Sequence, residues 1–422
     1  MENEQQLRVQ FNFDQDKSSE ETLSIASQVM VVPSSSEKNS LDQILSHLLQ
    51  CDVSYMYMVA DRLVQGSLGQ HVSIYGMSTE DIVIIDVIDG GIGKIDKISE
   101  EKQNDWISSI IVQKTDEVDK IIIGSYDGTV DGVAIHNGPV KSLDCQYSNI
   151  IASAGADARV IVRETNNKIL LQGIGHSTTI EALQLGPQNT CVSADFVGMA
   201  FLWRFGNNDP ILTAKLHSQC VSDLRLDHSQ LFSTSWDHTV KLWDYERLDL
   251  IHTSSSTGIV MTCLDINNHI LAAGGHDGII RIYDYRLKSA LISSFKGGHA
   301  SCLSAVAWRP SDPYTLLAAS HDSALRLWDT RATKPLANLE FPQPDSPLAA
   351  VWAGPHKALA GGKNSKLYSF HLSSPKMSSS NDTNRGTTLG GFFHQQEQEE
   401  QLGSADDNDD IKNNNSKKRP KK

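Results

Sequence analysis

The residues best placed to do chemistry are a histidine, serines, an aspartate and a tryptophan around Ser233–Tyr245, which reads STSWDHTVKLWDY, with His217 upstream. A Ser/His/Asp set is the raw material of acyl transfer, but a hydrolase of that kind carries its serine on a Gly-x-Ser-x-Gly elbow. No such elbow occurs in this chain. There is also no His-Glu-x-x-His and no cysteine pair spaced for zinc. Gly90-Gly91-Ile92-Gly93-Lys94 fails as a phosphate loop, because its glycine spacing is wrong and Ile95 stands where a Ser or Thr would hold magnesium. The expected role of His217, a serine (Ser233 or Ser235), Asp237 and Trp243 is therefore structural. They make a short buried chain of hydrogen bonds that pins a turn, since an unpaired buried carboxylate is costly.

Two strands must position those residues. One ends near Trp236, the turn covers Asp237 to Thr239, and the next runs from Val240 to Trp243 with alternating faces. The unit recurs at Asp127, Asp157, Val197, Asp237, Asp277, Asp322 and Asn364, in steps of 30, 40, 40, 40, 45 and 42 residues. Gly175-His176 and Gly298-His299 are further openers. A four-stranded unit cannot bury both faces alone, so the copies must stack into a ring. This is the pattern of a seven-bladed WD40 β-propeller, placed at residues 105–374, and it makes the chain mainly β. Val197 and Asn364 replace the aspartate in two copies, so those blades are expected to be held by packing alone.

At 422 residues the chain has room for one further small domain. Residues 1–90 read as β-β-α-β-β, a small α+β ubiquitin-like roll. Leu7, Val9, Phe11 and Phe13 form its first strand and Thr22 to Val32 its second. A helix starts at Ser40 as N-cap, with Gln43 completing a capping box. A hairpin turns at Asp61-Arg62, and Asp81 to Val87 is the last strand. Residues 91–104 read as a linker, within which Ile92 to Ile98 is the candidate for the strand that closes the ring. Residues 375–422 are polar, expected to be disordered, and end in the basic run Lys417, Lys418, Arg419, Lys421 and Lys422. That run has the form of a nuclear import signal. Six widely spaced cysteines suit reduced thiols, and no apolar run is long enough to span a membrane. The polar, acidic N-terminus is not a signal peptide. A formal charge of −14 argues against strong nucleic-acid binding and leaves direct RNA contact open.

Specific words then resemble one family. They are Asp105 to Ile110 (DWISSI), Gly124 to Asp127 (GSYD), Ser235 to Thr239 (SWDHT), Trp328 to Arg331 (WDTR), Lys366 to Phe370 (KLYSF) and Leu45 to Leu49 (LSHLL). Over about residues 7–372 the chain resembles the ribosome-biogenesis WD-repeat family of the Pescadillo and block-of-proliferation complex. The resemblance implies a non-enzymatic assembly factor of the large (60S) subunit, needed for processing of its rRNA precursor and located in the nucleolus and nucleoplasm. It implies that the propeller docks on the block-of-proliferation protein, and that the ubiquitin-like domain is gripped by midasin, a AAA ATPase that removes the complex from the pre-ribosome. It implies no cofactor of its own. In that family a glutamate just before the last N-domain strand reaches a magnesium ion held by midasin. Ser78-Thr79-Glu80 matches that position, which makes these residues the partner-binding loop and Glu80 the metal ligand in trans. The sequence departs from the family at Val133-Ala134-Ile135, at Val197, and in the short Gly206 to Pro210 segment, where some relatives carry a charged insert. The competing readings are a Notchless-like factor, which has eight blades, a ubiquitin-ligase substrate receptor, and a propeller hydrolase.

Overall fold

Leu7, Val9 and Phe11 point to one side of β1 (Gln6–Phe13) and are fully buried there. The computed structural model describes residues 5–13, 25–26, 28–49, 55–60, 62–64, 66–74, 76–78, 80–88, 95–115, 119–146, 149–254, 256–267, 269–286, 291–310, 312–332, 334–341 and 344–372. All belong to one compact unit, Met1–Ser378. β1 lies between β2 (Val29–Pro33) and β5 (Ile82–Ile88), with β3 (Met56–Val59) and β4 (Arg62–Leu63) beyond, in the order β2-β1-β5-β3-β4. β1 and β5 run parallel, and the other pairs are antiparallel. Helix α1 (Lys38–Leu49) buries Leu41 and Leu45 in the same core as Leu7, Phe11, Val83 and Ile85.

Three local expectations are corrected. The helix starts earlier than Ser40, because the Leu41 N–H already donates to the Glu37 carbonyl at 3.0 Å; Ser40 sits in the first turn. The second strand covers only Val29–Pro33, and Ile25 and Ala26 are helical. A second helix, α2 (Leu68–Ile74), was not expected. The Ser67 hydroxyl accepts the Gln70 N–H at its start, and Leu68 and Val72 join the core. Asp61 lies outside the described residues, but the strands it would join do pair, Met58 with Leu63.

The propeller follows. Seven four-stranded sheets have innermost strands Ile107–Gln113, Val140–Gln146, Ile180–Gly186, Val221–Asp227, Met261–Asn267, Leu303–Trp308 and Pro347–Trp352. Each innermost strand touches the next, and the seventh touches the first, so the ring closes. Closure comes from β6 (Ile95–Lys102), the outermost strand of blade 7, antiparallel to Lys366–Leu372 with Glu100 opposite Tyr368. Most of the segment read as a linker is therefore a strand. The closing strand, expected within Ile92 to Ile98, runs four residues further, to Lys102, and its partner in blade 7 is distant in sequence. The β3–β4 hairpin packs on blade 6: Met58 and Leu63 bury against Ala332, and the Leu63 N–H donates to the Arg331 carbonyl at 3.2 Å. Among the described residues no helix is long and apolar enough to cross a membrane, and the five cysteines described are free.

Candidate functional site

The turn residues set the geometry of one propeller face. In blade 4 the Asp237 carboxylate lies 2.9 Å from His217 Nδ1, His217 Nε2 lies 2.7 Å from Ser233 Oγ, and Trp243 Nε1 donates to Ser233 at 2.8 Å. Ser233, not Ser235, is thus the bridging serine. The two serines share a strand face, and position along it decides: Ser233 lies at His217, and Ser235, next to the turn, instead accepts the Asp237 N–H at 3.0 Å. Burial alone would raise the Asp237 pKa, but the His217 and Thr239 hydrogen bonds hold it below the usual carboxylate range. Burial pushes His217 down, against the pull of Asp237, so the imidazole stays neutral.

Blade 3 was expected to lack this pin. It has one, because Asp195 takes the place that Val197 cannot: it sits 2.9 Å from His176, which meets Ser193 at 2.7 Å, and Trp203 donates to Ser193 at 2.8 Å. Asp195 also accepts the N–H groups of Val197 and Met199. Blade 7 is pinned by an exchange of roles. Asn364 caps the turn by accepting the Lys366 N–H, and Asp345 accepts the Asn364 N–H at 3.0 Å. Blades 2, 5 and 6 use His136–Asp157, Asp277–Arg281 and Asp322–Arg326. Sequence spacing missed Asp195 because the carboxylate shifted by two residues, which keeps it on the same face of the strand.

The residues before the seven turn positions are Tyr126, Ala156, Phe196, Trp236, His276, His321 and Lys363. Four of these, Tyr126, Trp236, His276 and His321, line a cavity of about 470 Å³. Phe196 and Trp236 meet edge to face at 5.3 Å, and Trp106 leans on Tyr126 at the same distance. Lys363 lies over the Trp106 ring and Lys141 over Tyr126, each at 5.6 Å. Large rings held half-exposed by rigid turns are the side chains that anchor protein–protein contacts. Deeper in the channel, Asp144, Asp223 and Asp265 accept N–H groups of the next blade, from Leu185, Leu264 and Trp308 at 2.7–3.0 Å. Arg225 bridges Asp223 and Asp265. Burial pushes Asp144 up to about 6 against the opposing Leu185 hydrogen bond. These groups stitch the blades together.

On the N-domain, Glu80 is exposed two residues before β5, and its N–H donates to the Ser78 hydroxyl at 3.2 Å, a small turn. Thr79 lies outside the described residues, as do Lys417, Lys418, Arg419, Lys421 and Lys422. Among the described residues no group of three or more His, Cys, Asp or Glu side chains is placed to hold a metal ion. Glu80 could serve as one ligand to an ion held elsewhere. Four exposed aliphatics, Val29, Val31, Ile82 and Ile84, share the sheet side away from the core and were missed in the sequence, where they read as ordinary strand residues.

Comparison with known proteins matches residues 7–72 to the NLE (NUC135) domain, and 208–244, 249–284 and 289–329 to the WD domain, G-beta repeat. A Chlamydomonas reinhardtii protein named ribosome biogenesis protein WDR12 homolog is 25% identical over 414 residues, covering 80% of this chain and 92% of that protein. A Candida glabrata protein named ribosome biogenesis protein YTM1 is 22% identical, covering 86% and 96%. An Oryza sativa WDR12 homolog is 35% identical over 161 residues, 36% of this chain and 35% of its own length. Among solved structures, the computationally designed Ika8 protein superposes with a TM-score of 0.53 at 18% identity, over 64% of this chain and 98% of the design, which speaks to the fold alone.

Proposed function

This chain carries an NLE domain and WD-domain repeats and has homologues named ribosome biogenesis protein WDR12 or YTM1 over most of its length, and from that premise we propose that it is a non-catalytic scaffold in assembly of the large ribosomal subunit. The propeller docks on the block-of-proliferation protein, alongside Pescadillo on the pre-60S particle, through the aromatic mouth formed by Trp106, Tyr126, Phe196 and Trp236. The N-domain is the handle. Glu80 completes the coordination of a magnesium ion held by midasin, and the pull of that ATPase frees the complex. Magnesium takes hard oxygen ligands in octahedral geometry, so one carboxylate from a partner can fill an open position. Such a contact concentrates the grip on one charged pair, which suits a bond that must bear load and then release. The basic run at Lys417 to Lys422 directs the chain to the nucleus, with the nucleolus and nucleoplasm as its places of work.

The observation that carries this reading is the placement of Glu80: an exposed carboxylate leading into the last strand of a ubiquitin-like domain that is fixed to a propeller. The test is binding of the full chain to the midasin metal-site domain, with magnesium and with a chelator. Glu80→Ala should abolish binding as completely as the chelator does, while binding to the block-of-proliferation protein is unchanged. Wild-type binding by Glu80→Ala would sink the metal reading.

A further inference from the structure

The first blade is cut short. Its turn position lies 30 residues before the next, where the other steps are 40 to 45. Strands β7 (Ile107–Gln113) and β8 (Lys120–Ser125) are of full length, but β9 (Thr129–Val130) and β10 (Val133–Ala134) have two residues each. In blade 4 the matching outer strands are Val240–Asp244 and Leu250–Thr253. Asp131 and Gly132 are the cause. Both take positive φ, 54° and 73°, as in the two-residue turn that reverses a hairpin at once. β9 therefore meets β8 at a single pair, Gly124 with Val130, whereas blade 4 continues from Thr234 with Val240 to Gln230 with Asp244. The Ile123 carbonyl accepts the Asp131 N–H at 2.8 Å, so it points away from β7. The N–H and C=O of Ile121, two residues along, point the same way, and among the described residues no strand meets them. The neighbouring blades keep all four strands. Alongside Lys120 to Ile123 the open edge is thus the floor of a slot two strands deep, about 10 Å.

The wall on blade 2 carries a matching exchange. In blades 3 and 4 a third-strand tryptophan, Trp203 or Trp243, packs against the blade before it. Arg163 has that position in blade 2, opposite Ile151 as Trp243 is opposite Leu231. The strands on which a tryptophan would pack are cut short in blade 1. Arg163 is buried, with its guanidinium donating to the Val130 carbonyl at 3.3 Å and to Asn167. Among the described residues it has no ion pair. Asp131 acts on it only from a distance, being held by Lys120 at 2.6 Å. A buried charge without a counter-charge is costly. We propose that blade 1 is completed by an extended segment of another protein, which adds as a strand beside Lys120–Ile123 and turns an acidic side chain toward Arg163. The Ile121 N–H and C=O supply the ladder, and Arg163 selects the side chain. The recess sets the shape of the occupant. A folded domain or a second copy of this chain cannot bring its own edge to a floor two strands below the rim, whereas a single extended chain can. The site is separate from Glu80 and from the aromatic mouth, and it stands whether or not those readings do.

The probe is a peptide copied from blade 4, Thr239–Glu246 (TVKLWDYE). Seated in blade 1 as in blade 4, its tryptophan would lie opposite Ile121 and its aspartate would face blade 2. In the full chain without peptide, hydrogen exchange at the Ile121 amide should be faster than at Ile151, the matching amide of blade 2. Saturating peptide should slow the Ile121 amide by roughly tenfold or more. A peptide methylated on its tryptophan amide should not, since the effect is a backbone pairing. A peptide with asparagine for its aspartate and, separately, Arg163→Leu should each bind roughly fivefold or more weakly by fluorescence anisotropy, the loss of one charge-assisted hydrogen bond. The asparagine peptide leaves the chain unaltered, so no fold defect can mimic its result. An Ile121 amide as slow as Ile151 in the chain alone overturns the open edge. Slowing that appears without peptide as chain concentration rises assigns the edge to a second copy and overturns the partner segment. No slowing at the highest peptide concentration overturns the strand addition, and undiminished binding in both the asparagine peptide and Arg163→Leu overturns the acidic side chain.

Discussion

Blade 6 is an incomplete copy of blades 2, 3 and 4, and Ala318→Ser should complete it. In blades 2, 3 and 4 a serine hydroxyl on the second strand meets the histidine: Ser153, Ser193 and Ser233. The matching position in blade 6 is Ala318, opposite Arg326 as Ser233 is opposite Lys241. With no hydroxyl there, His299 Nε2 and Trp328 Nε1 are buried with no hydrogen-bond partner. Arg326 donates to His299 Nδ1 at 2.7 Å, so that nitrogen accepts, and Nε2 carries the proton with nowhere to give it. A serine oxygen has two lone pairs and could accept from both rings. A buried unsatisfied donor costs about 1–3 kcal/mol, and a completed hydrogen bond returns about 1 kcal/mol net. Two such bonds, less the cost of burying one hydroxyl, should add about 1–2 kcal/mol. At roughly 2–4 °C per kcal/mol for a domain of this size, the melting temperature should rise by about 2–8 °C. The assay is thermal and urea unfolding beside Ser233→Ala, which should fall by a similar amount. A flat or lowered midpoint for Ala318→Ser, with Ser233→Ala clearly destabilised, would refute the argument that the missing hydroxyl leaves two donors stranded.

Asp195→Ala should destabilise the propeller by about 2–4 kcal/mol, since it strands His176 and two turn N–H groups. Adding the carboxylate back at the position the repeat spacing favours, as Val197→Asp in the Asp195→Ala background, should restore much of the urea midpoint, because Asp237 at the matching position of blade 4 meets its opener histidine. Stability should fall in acid in two stages. His299 is pushed down to about 4 by burial, with Arg326 beside it, so its contribution is present above the ordinary histidine pKa near 6.5 and is lost as pH falls from there toward 4. Asp237 is depressed below the ordinary carboxylate value near 4, so its contribution is lost only at pH below that. His299→Gln should shrink the first stage of a melting-temperature profile, to which the depressed His217 also contributes, and Asp237→Asn should shrink the second.

The propeller itself was legible because a blade is a local object. Turn residue, following strand and opening histidine lie within some forty residues, and the 30–45-residue steps mark seven copies without any knowledge of their neighbours. The ubiquitin-like order was legible for the same reason, from alternating Leu7, Val9 and Phe11 and the Leu41–Leu45 helix face. Helix α2 was not, because it is seven residues long and draws its stability from packing Leu68 and Val72 rather than from its own pattern. Glu80 was found through family resemblance alone, since an exposed loop carboxylate has no signature of its own.

What the sequence determined by itself is the repeat: how many blades, where each turns, and which side chains can hydrogen-bond across a turn. Only the tertiary structure decided which of them do. Whether Asp195 or residue 197 meets His176, and whether Ser233 or Ser235 meets His217, depends on how far along one strand face the opener comes to rest, since each pair is two residues apart. That β6 completes blade 7 depends on a pairing across more than 260 residues, Glu100 with Tyr368. That Val29, Val31, Ile82 and Ile84 form one exposed face depends on β1 lying between two strands that are not adjacent in the chain. Spacing encodes contacts made within a turn or a hairpin; contacts made by closing a ring or pairing distant strands exist only once the chain has returned on itself.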